Sequence, residues 1–187
     1  MRQMGMKTGH EHAVLYDTET LREIGRKTDR QKGSVGFPAD QFPQIYTAGH
    51  NIEIVHNHPS SSSLSMPDLM FSTNPGVRRI VAVGHDGTRY AASPLVSDKF
   101  LIRDAGEAAD RELMKRLRPV LDDGKLNMNQ VNALHSHARN QSLHNVGIIK
   151  YRVDNISGSL RSSMSVMGND FVDSLINYIT ENIKGYI

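Results

Sequence analysis

At 187 residues the chain can form one well-buried core with room for a small helical annex. Its composition, 38% hydrophobic and 22% charged residues, is typical of a folded protein and excludes the disordered class. Residues 1–97 contain 10 basic residues (Lys and Arg) and 9 acidic residues (Asp and Glu), and the rest of the chain contains 12 basic and 11 acidic residues. Neither half is therefore the strongly basic lobe of a nucleic-acid-binding protein, and we expect no nucleic-acid partner.

The sequence contains no cysteine, which excludes disulfide bonds, thiolate metal ligands and cysteine nucleophiles. Any metal must therefore be held by His, Asp, Glu and water. The first ten residues, MRQMGMKTGH, lack the apolar segment of a signal peptide, and no apolar run approaches the length of a membrane span. We expect a cytoplasmic protein without membrane contact, and delivery by a phage or a secretion system stays open.

The first half of the chain alternates short apolar segments with turns, which predicts a sheet. Apolar, largely β-branched runs predict strands at residues 12–17, 51–57, 78–84 and 89–93. His85-Asp86-Gly87-Thr88 predicts a hairpin turn between the last two strands.

Helices are predicted in both halves of the chain. A short helix limited by Pro43 is predicted within residues 38–49, and another over residues 66–74. Three longer helices are predicted at residues 98–121 (ending near Pro119), 127–143 and 170–183 (with Asn169 or Asp170 as N-cap). The Ser- and Gly-rich residues 153–169 are expected to be loose. This pattern predicts an α/β domain over residues 1–97 and a mostly helical extension over residues 98–187.

The stretch IVHNHPSSSSLSMPDL, residues 54–69, predicts a metal site. Alternate residues of a strand share one face, so His56 and His58 point the same way at the end of the predicted strand. Pro59 ends the strand, and a serine loop leads to Asp68 on the first turn of the next helix. Two His and one carboxylate leave a position for water, which is typical of catalytic zinc, although N/O ligands also suit other divalent ions.

A hydrolytic site also needs a general base. Glu53 is the nearest glutamate in sequence, but strand alternation points it away from the histidines. Glu11, just before the first predicted strand, is predicted to lie across the sheet from them and is the better candidate.

Glu11, His56-Asn57-His58-Pro59 and Ser65-Met66-Pro67-Asp68 together resemble the motif of the JAMM (MPN+, JAB) metalloproteases. The resemblance covers about residues 10–95, and the HNHPS form resembles prokaryotic and phage members, including the RadC group. It implies a JAB/MPN-type α/β fold related to cytidine deaminases, with a mixed sheet and flanking helices.

The resemblance further implies a zinc-dependent protease or isopeptidase acting on a protein or peptide substrate. His56, His58 and Asp68 would hold Zn²⁺, Glu11 would be the base, and Ser65 would help to stabilise the oxyanion. Six residues separate His58 from Ser65, one fewer than is usual in the family.

Other interpretations remain open for the same residues. Ser65-x-x-Asp68 is also a helix-capping pattern. The fold could serve as a non-catalytic scaffold or a phage or effector assembly module, with the helical extension contacting a protein partner or a second copy of the chain. RadC-like action around DNA is disfavoured by the balanced charge.

The remaining histidines are not predicted to bind metal. His10 and His12 flank Glu11 and are expected to be exposed. His135, His137 and His144 lie on a predicted helix without a carboxylate in register, which predicts a polar face.

Overall fold

The computed structural model describes residues 1–31 and 33–186. Its strands are β1 (Ala13–Asp17), β2 (Glu23–Lys27), β3 (Ile52–His58), β4 (Val77–Gly84), β5 (Arg89–Pro94) and β6 (Ile149–Asp154). Its α-helices are α1 (Arg2–Thr8), α2 (Met66–Phe71), α3 (Lys99–Asp122), α4 (Met128–Asn145), α5 (Gly158–Met167) and α6 (Asn169–Ile183). Turns of 3₁₀ helix lie at Pro43–Ile45 and Lys184–Tyr186.

The strands form a six-stranded mixed sheet in the order β2-β1-β3-β4-β5-β6. Among the described residues, β3 and β4 run parallel and the other four neighbouring pairs run antiparallel. A parallel pair needs a crossover connection, and α2 lies within it. The predicted α/β class, with a mixed sheet, flanking helices and a helical C-terminal region, is confirmed.

One face of the sheet packs against the C-terminal helices. Leu15, Ile54, Ala82 and Tyr90 lie on this face and belong to the same buried cluster as residues of the helices. In α3, buried apolar side chains recur every three or four residues, at Ile102, Ala105, Ala109, Leu113 and Leu117. This spacing forms the apolar stripe of an amphipathic helix, which α3 buries against the helices α2, α4 and α6.

The C-terminal half is more ordered than the sequence predicts. The segment expected to be loose contains α5 and the end of β6, and β6 extends the sheet beside β5. The predicted boundary at residue 97 falls between β5 and α3, so the chain returns to the sheet after leaving it. Ile187, the last residue of the predicted extension, lies outside the described residues.

The helix predicted over residues 98–121 is confirmed: α3 passes through Pro119 to Asp122, and Gly124, whose φ of 67° is left-handed, follows its C-terminal end. Two other helix predictions need correction. Neither Asn169 nor Asp170 caps α6, because Gly168 precedes the helix and no side chain caps it. The helix predicted within residues 38–49 is reduced to one 3₁₀ turn. Nowhere in residues 1–31 and 33–186 does a helix combine the length and apolar character needed to cross a membrane.

Candidate metal centre

The end of β3 directs two histidines to the same side of the sheet. His56 and His58 are 2% and 6% exposed, and their Nε2 atoms lie 2.8 Å apart. The antiparallel register pairs Ala13 with His56, so continuing it by two residues sets Glu11 opposite His58 on the same face. Glu11 Oε1 lies 4.0 Å from His56 Nε2. The structure thus brings together the two histidines and the glutamate that the sequence singles out.

Asp68 reaches the same point from the first turn of α2. Its carboxylate oxygens lie 3.4 Å from His56 Nε2 and 3.5 Å from His58 Nε2. Ligand atoms bound to one tetrahedral zinc ion lie about 3.3 Å apart, as follows from metal–ligand distances of about 2.0–2.1 Å. The two distances from Asp68 are close to this value. The histidines and Asp68 therefore form a compact set of N and O atoms that fits a divalent ion.

The pKa values of the Asp68 and Glu11 carboxylates are shifted in opposite directions. Burial raises the pKa of Asp68, but the charges and hydrogen bonds of His56 and His58 outweigh burial and hold that pKa well below its usual range. Burial raises the pKa of Glu11, and the two histidines only partly oppose the shift. Asp68 is thus the more persistent anion, as a metal ligand must be, whereas Glu11 is the group more disposed to carry a proton.

Glu11 is also close enough to the two histidines to be a metal ligand itself. Glu11, His56 and His58 each offer a ligand atom, and these atoms lie within 4.8 Å of one another. Asp68 is nevertheless the better third ligand, because it approaches both histidines more closely and its pKa is lowered. This leaves the Glu11 carboxylate beside the candidate metal position.

The imidazole of His58 is oriented by the loop that follows it. His58 Nδ1 lies 2.9 Å from the Ser62 carbonyl oxygen, so Nδ1 carries the proton and Nε2 is left to bind metal. Burial lowers the pKa of His58, but the hydrogen bond and charge of Asp68 outweigh this and leave the pKa raised. Without a metal, a proton therefore competes for this ring.

Ser65 is the N-cap of α2. Its hydroxyl accepts from the Asp68 N–H at 3.3 Å and donates to Asp68 Oδ2 at 2.7 Å, and the Ser65 N–H donates to the same oxygen at 2.7 Å. Both halves of a capping box are present. Ser65 thus orients Asp68, and its hydroxyl lies beside the candidate ligands.

The serine loop between His58 and Ser65 is held by hydrogen bonds from helix α4. Asn140 Nδ2 donates to Ser63 Oγ and to the Leu64 carbonyl, each at 2.9 Å, and Arg139 donates to the same carbonyl at 2.7 Å. Arg139 and Asn140 are both buried. Sequence reasoning missed these two residues, although a buried Arg-Asn pair on the apolar face of a helix is the pattern that could have indicated them.

The expected polar histidine face is wrong for His137. This residue is buried, its Nδ1 lies 3.2 Å from the Tyr151 hydroxyl, and burial lowers its pKa to about 4. Tyr151 in turn contacts Ser63 Oγ at 2.8 Å. His137 is thus a neutral core residue that supports the serine loop.

The expected exposure of the histidines beside Glu11 is also wrong for His12, which is buried and has its Nε2 2.7 Å from Thr8 Oγ1. Glu53 points away from the centre, as strand alternation predicts, and pairs with Arg79 and Arg89. Glu53 therefore lies on the opposite face of the sheet from the candidate metal centre.

The candidate metal centre opens into a cleft of about 330 Å³. Serines of the loop line one part of it, including Ser60 and Ser62, and apolar residues line another, including Val35, Phe37 and Phe71. His56 and His58 line the same cleft, so the candidate metal centre is reached through it.

No protein-family model matches this chain, and comparisons with curated proteins and with solved structures found no match either.

A substitution at Ser65 separates its two possible roles. Ser65→Ala is expected to lower the free energy of unfolding by about 1 kcal/mol, because the cap of α2 is lost. If the hydroxyl also stabilises an oxyanion, turnover should fall by roughly 10²–10³-fold at unchanged zinc content. Ser65→Gly is the matched control, since glycine at an N-cap costs only about a few tenths of a kcal/mol and has no side-chain donor. Near-normal melting with slow turnover in Ser65→Gly would identify the catalytic role, and normal turnover would leave Ser65 a cap.

Proposed function

We propose that this protein is a zinc-dependent hydrolase of the JAMM type, which cleaves a peptide or isopeptide bond by means of an activated water. The observation that carries the proposal is a buried Glu11, with a raised pKa, 4.0 Å from one of two histidines that converge with Asp68. A JAB-type fold is part of the same proposal. It is supported by the mixed sheet and by the position of the two histidines at the end of a strand whose parallel neighbour follows a crossover helix.

The residues divide the chemistry among them. His56, His58 and Asp68 would hold the ion, and zinc when bound supplies a Lewis acid that polarises the scissile carbonyl and lowers the pKa of water. Glu11 accepts the proton of the attacking water and passes it to the leaving amine, a role suited to a carboxylate whose pKa burial has raised. The single hydroxyl hydrogen of Ser65, which Asp68 Oδ2 accepts in this structure, would turn to donate a hydrogen bond to the oxyanion.

Asp68→Ala tests the proposed function most directly. The parent protein is expected to contain about one zinc ion per chain and to hydrolyse a fluorogenic mixture of peptide and ε-lysyl isopeptide substrates. The variant should lose most of its zinc and its hydrolysis, because only two of the three protein ligands remain. Zinc content by atomic emission and the rate of hydrolysis are the measurements.

The exposed Asp40 offers a control, because it is distant from Asp68 in the sequence. Asp40→Ala should change neither the zinc content nor the rate of hydrolysis. Zinc-loaded parent protein that hydrolyses none of these substrates would favour the scaffold or assembly function. Parent protein that binds no zinc would overturn both the site and the hydrolase.

A further inference from the structure

Asn57 lies between the two candidate histidine ligands but points to the opposite face of β3. It is fully buried, with 0% of its surface exposed. A buried amide must find hydrogen-bond partners, because an unpaired polar group in the interior is costly. Its partners lie on both sides of Glu11.

The Asn57 side chain contacts the backbone of His10 and His12. The His12 N–H donates to Asn57 Oδ1 at 2.9 Å, and Asn57 Nδ2 donates to the His10 carbonyl at 3.1 Å. The orientation of the amide follows from these partners, since its oxygen faces a donor and its nitrogen faces an acceptor. One side chain thus fixes the peptide groups before and after Glu11.

This support is needed because Glu11 precedes the regular pairing of the sheet. Strand β1 begins at Ala13, two residues after Glu11. On the β2 side, the Glu11 N–H donates to the Gln31 carbonyl and Thr28 Oγ1 donates to the Glu11 carbonyl, both at 2.7 Å. On the β3 side, the corresponding side-chain support comes from Asn57.

We propose that Asn57 is a positioning residue, which fixes the Glu11 carboxylate relative to His56 by holding the backbone on either side of it. The catalytic consequence rests on the proposed function, whereas the positioning itself does not. His56 and Asn57, adjacent on one strand, would then act on opposite faces of the sheet: one binds metal, and the other holds the proton acceptor.

Helix α1 closes over this arrangement. A Cβ atom at Gly5 would collide with Asn57 Nδ2 and would lie 2.5 Å from Asn57 Cγ and 2.8 Å from His85 Nε2. Gly5 is therefore the residue that lets α1 pack directly on the amide. His85 Nε2 completes the surroundings, 3.3 Å from Asn57 Nδ2.

Asn57→Ala tests the proposal in the full-length, zinc-loaded protein. We expect zinc content to remain at that of the parent. Hydrogen exchange at the His12 amide should accelerate by about tenfold or more beyond any change in global stability, because its acceptor is gone. The Glu11 carboxyl ¹³C signal, assigned by its absence in Glu11→Gln, should shift or broaden. With the single fluorogenic substrate of the mixture that the parent hydrolyses fastest, kcat should fall by up to about 10²-fold at unchanged KM, the scale of a small misplacement of a catalytic group.

Ser142→Ala is the control for a purely structural effect. Ser142 is also fully buried, but its hydroxyl donates to the Ile176 carbonyl at 3.2 Å, between α4 and α6. This variant should lose stability while the His12 amide and the Glu11 signal remain as in the parent.

Gly5→Ala gives a second, independent test, because it disturbs Asn57 without changing the motif. Alanine normally stabilises a helix relative to glycine, so a purely local effect would strengthen α1. We expect instead the faster His12 exchange and the altered Glu11 signal of Asn57→Ala. The Gly5→Ala variant also tests the proposal if Asn57→Ala fails to fold.

The two proposals fail separately. A parent protein without hydrolysis would overturn the proposed function, whereas the exchange and ¹³C measurements would still test the positioning. An unchanged Glu11 signal in folded Asn57→Ala, or in folded Gly5→Ala, would overturn the role of Asn57 even if both variants were less stable.

Discussion

The double substitution His56→Ala/His58→Ala is expected to reduce zinc content from about one ion per chain to none, since it removes both nitrogen ligands. The two Nε2 atoms lie 2.8 Å apart, and Asp68 approaches each of them within 3.5 Å. A single carboxylate with water does not retain zinc against a chelator. Zinc analysis after dialysis against a weak chelator measures the effect.

His135→Ala is the control for this experiment. His135 also lies beside a carboxylate, with its Nε2 3.5 Å from Asp110 Oδ1, but on the helical part of the molecule. Its replacement should leave zinc content unchanged. Full zinc occupancy in the double variant would exclude the proposed centre.

Zinc should also be released as pH falls, because the metal binds the neutral imidazole. Asp68 raises the pKa of His58 despite burial, so a proton competes for this ring at a higher pH than it would for an isolated buried histidine. Because the pKa of His58 is raised, zinc occupancy at limiting free zinc is expected to be complete only well above the ordinary histidine pKa of about 6.5 and to decline as the pH falls through the raised pKa. Measuring the zinc content of the parent protein over a series of pH values is thus a second test of the histidine ligands, beside the double variant.

Glu11→Gln is expected to retain zinc and to lose hydrolysis by about 10²-fold or more, the usual weight of general-base catalysis. Glutamine preserves the size and the hydrogen-bonding capacity of the side chain but cannot accept the proton of the attacking water. The prediction follows from the burial of Glu11, which is 5% exposed, and from its raised pKa beside His56. Zinc stoichiometry and the rate on the fluorogenic substrate mixture are measured on the same preparation.

Glu53→Gln provides the matched control, because Glu53 lies on the opposite face of β3 and pairs with Arg79 and Arg89. It should cost some stability and leave the rate unchanged. Retained activity in Glu11→Gln would assign the proton transfer to another group. Loss of zinc from Glu11→Gln would make Glu11 a ligand rather than a base.

Much of the candidate centre could be predicted from the sequence because it depends on local geometry. The alternation of a strand sets His56 and His58 on one face and Glu53 on the other, whatever surrounds the strand. Helix capping likewise relates Ser65 to Asp68 over only three residues. The outer parts of the fold were less predictable. Helix α5 arises from Ser- and Gly-rich sequence with weak local preference, and β6 pairs with β5, from which α3 and α4 separate it along the chain.

The sequence by itself determined that His56 and His58 share one face of β3 and that Glu53 lies on the other. The register of β1 against β3, which belongs to the tertiary structure, set Glu11 on the face of the histidines. Tertiary structure alone decided what holds them there. Asn140 is 76 residues from the Leu64 carbonyl that it binds, and the amide of Asn57 is 45 residues from His12. Periodicity and capping describe neighbours within about one helical turn, whereas these hydrogen bonds exist only because the sheet and α4 bring distant segments together and bury polar groups that must then be paired.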